Sequence, residues 1–422
     1  MQNVVNRALV AKKKFFISLL AAICCATLNL HAEAVVGTCG ANMEWTFYTG
    51  SGALYLTGTG EMDNYSTTSE TPWAEYAQQI VKIYVDGDNS QYTSFGKNAF
   101  NECRNLEEVE MPNTVVKIGE AAFRYCTKLA TINMSTALTD IGYNAFNSCY
   151  ALTNITIPSS VLSIGSIAFI GCSGLTTVTI PAKVNMIGAG AFAACDKLTS
   201  IYVYATNPYY RSEGGVLYNN NKTILFQVPA GLTGEFRVPD NVTSVNAYAF
   251  YRCKKLTDVS IPTSVTSIGN YAFHYCLFES IEIPEGVTAL GYTAFYCCTK
   301  LEQVILPSTL TLMDHGVFYL CTALTSVTCK ATTPPSGGQN YFLDVDLSAC
   351  KLYVPEGSVE AYKADEQWSG FGDNILPIPD PHTAIDQTTS KPSTLNAKHI
   401  INGHLYIHHN GQTFTSSGTR VE

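Results

Sequence analysis

The sequence predicts a repeat solenoid of coils about 23 residues long, each a short strand followed by a short helical turn. Three observations predict it. Phe recurs at 100, 123, 146, 169 and 192 and, after a gap, at 250, 273, 295 and 318, with steps of 22 or 23 residues inside each run. Cys stands three residues after every one of them, at 103, 126, 149, 172, 195, 253, 276, 298 and 321. Only 14% of residues are charged and 46% are apolar, a balance that suits a buried core and excludes a disordered chain.

One unit, LTNITIPSSVLSIGSIAFIGC from Leu152 to Cys172, gives each feature a physical reading. Leu152, Ile155 and Ile157 follow L-x-x-L-x-L and point inward from a strand. Thr153, Asn154 and Thr156 are left to face out. Pro158 ends the strand because it has no amide to donate. Val161 and Ile164 return to the core, and Gly165 permits a sharp turn. Ala168, Phe169 and Cys172 have the spacing of one helical turn with a buried face. A single coil cannot hide that many apolar groups, so the coils must stack. Ten or so of them would make a rod or shallow arc roughly 45–50 Å long.

The segments follow in order. Residues 1–34 read as an export signal. Lys12, Lys13 and Lys14 precede an apolar run from Phe15 to Leu30, and Ala32-Glu33-Ala34 is a small-x-small cleavage site. Asn29 and His31 cut the run short of a membrane span, and Ile23 before Cys24 argues against lipidation. No later stretch reaches spanning length, so the mature chain is expected to have no membrane span. Residues 35–95 alternate apolar and polar residues around Gly-rich turns and read as a β-rich N-terminal cap over the exposed end of the core. The array covers 96–330. Inside it, Phe192 and Phe250 are 58 residues apart, and 204–239 carries turn signals at Gly214-Gly215 and Asn219-Asn220-Asn221, so it reads as a β-hairpin insertion. Its Tyr204, Tyr209, Tyr210 and Tyr218 are read chiefly as packing residues. Residues 331–376 read as an α+β C-terminal cap, a strand and then an amphipathic helix with Val359, Tyr362 and Trp368. Residues 377–395 are rich in Pro, Thr and Ser, hence a linker. Residues 396–422 alternate as β-hairpins with turns at Asn402-Gly403 and Asn410-Gly411.

The units LTNITIPSSVLSIGSIAFIGC and LTDVSIPTSVTSIGNYAF (256–273) resemble the BspA-like leucine-rich repeat proteins of bacterial surfaces. The resemblance makes the solenoid a leucine-rich repeat array. It implies a non-enzymatic surface or secreted adhesin whose partner is a protein, fibronectin or fibrinogen or the surface proteins of other bacterial cells. The units lack the strand-capping Asn of eukaryotic repeats; Ser160 or Ser264 stands near that point. The tail is similar to the C-terminal sorting segment of type IX secretion through Asn402, Gly403, Leu405, Tyr406, Ile407, Gly411, Phe414, Gly418 and Val421, with Glu422 departing from the usual basic end. That similarity implies an outer-membrane surface or extracellular location in a gram-negative bacterium.

Chemistry-bearing residues are expected to be structural. The nine ladder Cys repeat at one position, so their side chains run parallel rather than face each other, and they read as small buried hydrophobes. Of Cys39, Cys297, Cys329 and Cys350, the pair Cys329 and Cys350 is the best disulfide candidate, as a staple for the C-terminal cap. There is no C-x-x-C, H-E-x-x-H, G-x-S-x-G, Walker or dinucleotide motif, so no catalytic residue, cofactor or metal is expected. His404 and His408 could share a face, but no carboxylate or Cys accompanies them. His274 and His315 lie beside the Phe turns. Net charge is −9, and −12 once 1–34 is removed with Arg7, Lys12, Lys13, Lys14 and Glu33; an acidic surface disfavours nucleic acid. What remains is the outward strand position of each coil, read as the candidate protein-binding face: Glu110, Asn133, Thr156, Thr179, Tyr202, Ser260, Glu282, Ile305 and Thr328. It is long, mostly hydroxylated, and has no grouping of acid, base and nucleophile. A carbohydrate-binding alternative rests on Tyr202, Tyr204 and Tyr209 as a stacking platform, and a structural envelope role without a soluble ligand is a further one.

Overall fold

The computed structural model describes residues 33–85, 91–379 and the strand segments 397–401, 404–409, 412–415 and 420–421. The expected export signal (1–34) lies outside the described residues except at its last two, and so does most of the expected linker (377–395).

The chain winds into a β-solenoid of about 13 coils. Each coil has three sides. One carries the L-x-x-L-x-L strand, the second a two-residue strand such as Ser163–Ile164, and the third the Phe turn. Strands of successive coils pair in parallel and in register, Glu108–Glu110 with Thr131–Asn133 and Thr177–Ile180 with Ser200–Val203. Strict repetition of a 22- or 23-residue step makes this happen: equal steps place equal residues above one another. Phe100, Phe123, Phe146, Phe169 and Phe192 therefore stack at 5.1–5.6 Å with rings nearly parallel. Phe250, Phe273, Phe295 and Phe318 form the second stack at 4.7–5.3 Å. Burial of each such ring is worth about 2–3 kcal/mol.

Both stacks continue beyond the residues that the 23-residue step marks. Trp73 stacks on Phe100 at 4.8 Å, and Phe342 on Phe318 at 5.5 Å. At the N-terminal end the antiparallel strands Ala34–Gly40, Met43–Tyr48 and Ala53–Glu61 send Met43, Trp45, Phe47, Leu54 and Leu56 into the first core. At the other end the helix Val359–Ala364 buries Tyr362 and is shorter than expected, since it ends before Trp368. Trp368 is buried beside it and donates its Nε1 hydrogen to Pro335 O at 3.0 Å. The tail strands Ala397–Ile401, His404–His409, Gln412–Thr415 and Arg420–Val421 form an antiparallel sheet of their own. The expected turns at 402–403 and 410–411 lie outside the described residues.

Five expectations need correction. The turn of each coil is not helical. Around Phe169, Ile167 and Gly171 have φ of +49° and +73°, and the amides of Ile167, Phe169 and Gly171 donate to Ala189, Ala191 and Ala193 of the next coil at 2.8–2.9 Å. A helix would spend those amides within itself; here alternate amides bond forward and tie the third side together. Gly165 does not serve a left-handed turn. A Cβ there would lie 2.5 Å from Tyr143 N and 2.6 Å from Gly142 C, so the close approach of the preceding coil requires glycine.

The other three concern a strand, the thiols and a disulfide. The segment 153–157 of the prototype unit joins no strand ladder, so Thr156 does not sit on a paired strand. The ladder thiols are buried but are more than hydrophobes. Cys126, Cys149 and Cys172 donate to the carbonyls of Phe100, Phe123 and Phe146 at 3.1–3.2 Å, and burial pushes the Cys103 thiol up to about 12. Finally, Cys329 and Cys350 are free thiols. The Tyr362 hydroxyl lies 3.1 Å from Cys329 Sγ and 2.9 Å from Ala331 O, so a buried hydrogen-bonded tyrosine holds the place given to the staple.

Candidate functional site

The candidate face is built by the strand register. Within a strand the inward residues, such as Val109 and Val178, are buried, and pleating turns the residues between them to solvent. Glu110 and Asn133 stand opposite each other across one pair, Thr179 and Tyr202 across a second, and Glu282, Ile305 and Thr328 across a third and fourth. Ser260 pairs with Arg237. Glu110, Asn133, Thr156, Thr179, Tyr202, Ser260 and Glu282 are exposed, and Ile305 and Thr328 are half-buried. The face is interrupted rather than continuous. The strand side falls into four ladders, broken at 153–157, at the insertion, and between Leu256–Ser260 and Ser280–Glu282.

Register adds residues that the repeat did not mark. Tyr84 stands opposite Glu110, and Tyr55 opposite Tyr84, their rings stacked at 5.1 Å. Tyr48 meets Tyr55 edge-on at 5.6 Å. Burial holds the Tyr55 hydroxyl above its usual range, aided by Tyr84, Tyr48 and Glu110. Tyr353 pairs with Thr328 at the other end. These residues lie in segments that depart from the 23-residue step, so periodicity could not find them; the apolar-polar alternation of ALYLTGTGE and KIYV was the available signal. Ion pairs between coils cross the surface, Lys82 with Glu108 of the next coil at 2.8 Å and Lys330 with Glu282 two coils away at 3.2 Å. The carboxylate of Glu108 raises the Lys82 ammonium through their hydrogen bond.

The insertion splits its tyrosines. Tyr210 and Tyr218 are buried, and the Tyr210 hydroxyl accepts a hydrogen bond from Ile187 N at 2.9 Å. Tyr202, Tyr204 and Tyr209 are each more than half exposed. Packing explains the first pair and leaves the second group open to solvent.

A second surface was missed altogether. On the turn side of the second array, Tyr251 stacks on His274 at 4.9 Å, His274 on Tyr296 at 4.5 Å, and Tyr296 meets Tyr319 edge-on at 5.0 Å. The position after each core Phe carries an aromatic ring there. The signal lies in YAFY and YAFHY, one residue beyond the Phe that marks the period. Among the described residues no group of three or more His, Cys, Asp or Glu could hold a metal ion, and no helix is long and apolar enough to cross a membrane.

The sequence matches the model of the BspA type leucine rich repeat region at 93–213 and 230–344, in six copies. The structure is similar to a leucine-rich repeat protein from Eubacterium ventriosum, with 26% identity, a TM-score of 0.61, and cover of 74% of this chain and 95% of that one. It has the fold of a leucine rich cell surface protein from Faecalibacterium prausnitzii (24% identity, TM-score 0.50, 70% and 95% covered) and of the pneumococcal vaccine antigen PcpA (18% identity, TM-score 0.53, 83% and 99% covered). No curated protein matches the sequence significantly.

Proposed function

The chain belongs to the BspA-type leucine-rich repeat family, and from that premise we propose that it is a non-enzymatic surface or secreted adhesin that binds another protein through its strand side. The observation that carries the reading is a set of in-register ladders on one side, from Tyr55 through Tyr84 and Glu110 to Asn133, then Thr179 with Tyr202, and then from Glu282 to Tyr353. A broad and shallow surface of hydroxyls, amides and tyrosines suits a protein partner. Tyrosine supplies large contact area at small entropic cost. Export to the bacterial surface, with 1–34 removed and the tail serving as a sorting segment, belongs to the same reading. Its partners are fibronectin, fibrinogen or the surface proteins of neighbouring bacteria.

The test is binding of the purified protein to immobilised fibronectin, immobilised fibrinogen and whole bacterial cells. Saturable binding to one of them, weakened at least about tenfold by Tyr202→Ala with Ile305→Lys, supports the reading. Absence of binding to all three removes it. The exposure of Tyr202, Tyr204 and Tyr209 favours the carbohydrate alternative at that corner, and loss of glycan capture on triple alanine substitution would establish it.

A further inference from the structure

The array is interrupted once on its turn side, between Phe192 and Phe250. The intervening segment 204–239 contributes the strands Tyr210–Glu213, Val216–Asn219, Ile224–Gln227 and Gly234–Arg237, but it has no Ala-Phe-x-x-Cys turn. Instead it cuts the corner, with Val228 N donating to Ala249 O and Gly231 N to Leu198 O at 2.8 Å. Two consequences mark the missing rung. The amides of Phe169 and Gly171 donate to the following coil, whereas those of Phe192 and Ala194 have no main-chain acceptor among the described residues. Cys253 donates to Val228 O at 3.6 Å in place of a Phe carbonyl.

The omission opens a trough of about 540 Å³, within the usual size of small-molecule sites. Its floor is Ser148, Gly171 and Ala194, the same position in three successive coils and small in each. Tyr150, 49% exposed, stands on one side. Tyr251 and Arg252 of the second array form the other. Tyr251 stacks on His274 at 4.9 Å, has Tyr248 tilted against it at 5.4 Å, and lines the trough. Arg252 Nη2 meets Asp196 Oδ2 at 3.1 Å across the gap. Asp196 Oδ1 and Arg252 Nε are shielded from water and have no hydrogen-bond partner.

We propose that this trough binds a neutral oligosaccharide. Two tyrosine rings on opposite sides supply surfaces for the apolar faces of sugar rings. The Asp196–Arg252 pair offers one acceptor and one donor without a partner, the complement of two adjacent hydroxyls, one donating and one accepting. Both side chains are partly exposed, and a ligand reaches the two shielded atoms only by turning the pair. The pair neutralises itself, and the neighbouring Lys255 ammonium is engaged by Asp196 O at 3.0 Å, so the pair gives an anionic ligand no net attraction. A peptide would want apolar pockets for side chains, and this lining is mainly hydroxyl, amide and aromatic.

The experiment is calorimetric titration of the full chain with maltohexaose, cellohexaose and mannohexaose, and separately with a pool of extended peptides. Saturable binding of at least one sugar is expected, with Kd weakened about tenfold or more in Tyr251→Ala and in Asp196→Asn, and unchanged in Glu75→Gln at the far N-terminal end. Asp196→Asn keeps the side-chain shape, and Ser173→Trp fills the trough, so the outcome does not depend on Tyr251→Ala folding. Failure of all three sugars overturns the proposal. So does sugar binding indifferent to Asp196→Asn and Ser173→Trp, or peptide binding that depends on Tyr251 where no sugar binds.

Discussion

The two arrays, 93–213 and 230–344, share their interior and differ on the turn side. In both, Phe stacks on Phe and Ala precedes almost every one. The position after Phe reads Asn101, Arg124, Asn147, Ile170 and Ala193 in the first array, and Tyr251, His274, Tyr296 and Tyr319 in the second. In the first, Asn101 and Asn147 donate within their own coils to Asn98 and Asn144 at 3.2 and 2.7 Å. In the second, rings meet from coil to coil, stacked at 4.5–4.9 Å from Tyr251 through His274 to Tyr296 and edge-on at 5.0 Å between Tyr296 and Tyr319. The difference teaches that register multiplies whatever stands outside. One aromatic per coil becomes a column, because every coil places that position over the last. The interior fixes the coil step, and the exterior is then free to differ between halves.

The most severe way to break the comparison is to empty one core. The buried apolar residues fall into two groups that divide at the hairpin, Leu217 belonging to the first and Val216 and Tyr218 to the second. Phe169→Ala and Phe273→Ala should each cost about 3–5 kcal/mol. Amide hydrogen exchange should show loosening confined to the array that carries the substitution. Equal loss of protection in both arrays would show that they unfold as one body.

A smaller effect separates the arrays by pH. Burial holds the His274 imidazole down at about 4, against a usual 6.5, and Tyr251, Tyr271, Tyr275 and Tyr296 surround it. Between those pH values the unfolded chain binds the proton and the folded chain does not. The contribution is therefore complete above pH 6.5 and declines as pH falls toward 4, by roughly 2–3 kcal/mol. Melting curves should shift downward across this window in the parent and less so in His274→Phe. No residue equivalent to His274 in the first array is ionisable in that range, so an unaltered acid limb in the variant would leave the two halves without this distinction.

The thiol ladder gives a finer contrast. Cys172 donates to Phe146 O at 3.1 Å, and Cys253, beside the missing rung, to Val228 O at 3.6 Å. Cys172→Ala should cost about 1–2 kcal/mol and Cys253→Ala less. The two denaturation midpoints, taken in urea, rank them; the reverse order would mean that the ladder bond contributes nothing. The smallest effect belongs to the surface. Arg237 and Asp240 pair at 3.0 Å with both side chains 74% exposed, and Arg237→Ala should change stability by less than about 0.5 kcal/mol. A larger loss would show that the insertion depends on this pair.

Much of the fold was legible because repetition is visible in one dimension. Each Phe and Cys of the two columns is buried, and the insertion was announced by a 58-residue step where 46 would keep register. The candidate face was legible only where the step was kept. Tyr55, Tyr84 and Tyr353 join it through pairing that no period marks, and Thr156 falls at a coil whose first side joins no ladder. The turn was misjudged because Ala-Phe-x-x-Cys spacing fits a helix as well as a succession of left- and right-handed residues.

The amino-acid sequence by itself determined the coil length, the inward residues, the place of the interruption and the absence of familiar catalytic motifs. Those are periodic or local properties, and burial of apolar side chains depends on little else. Only the tertiary structure decided where the backbone amides of the turn are spent, which tyrosines of the insertion are covered, and that omission of one rung leaves a trough between Tyr150, Asp196 and Tyr251. Each of these depends on contacts between coils, where a hydrogen bond or a gap is set by the neighbouring turn of the chain and not by the residues beside it in sequence.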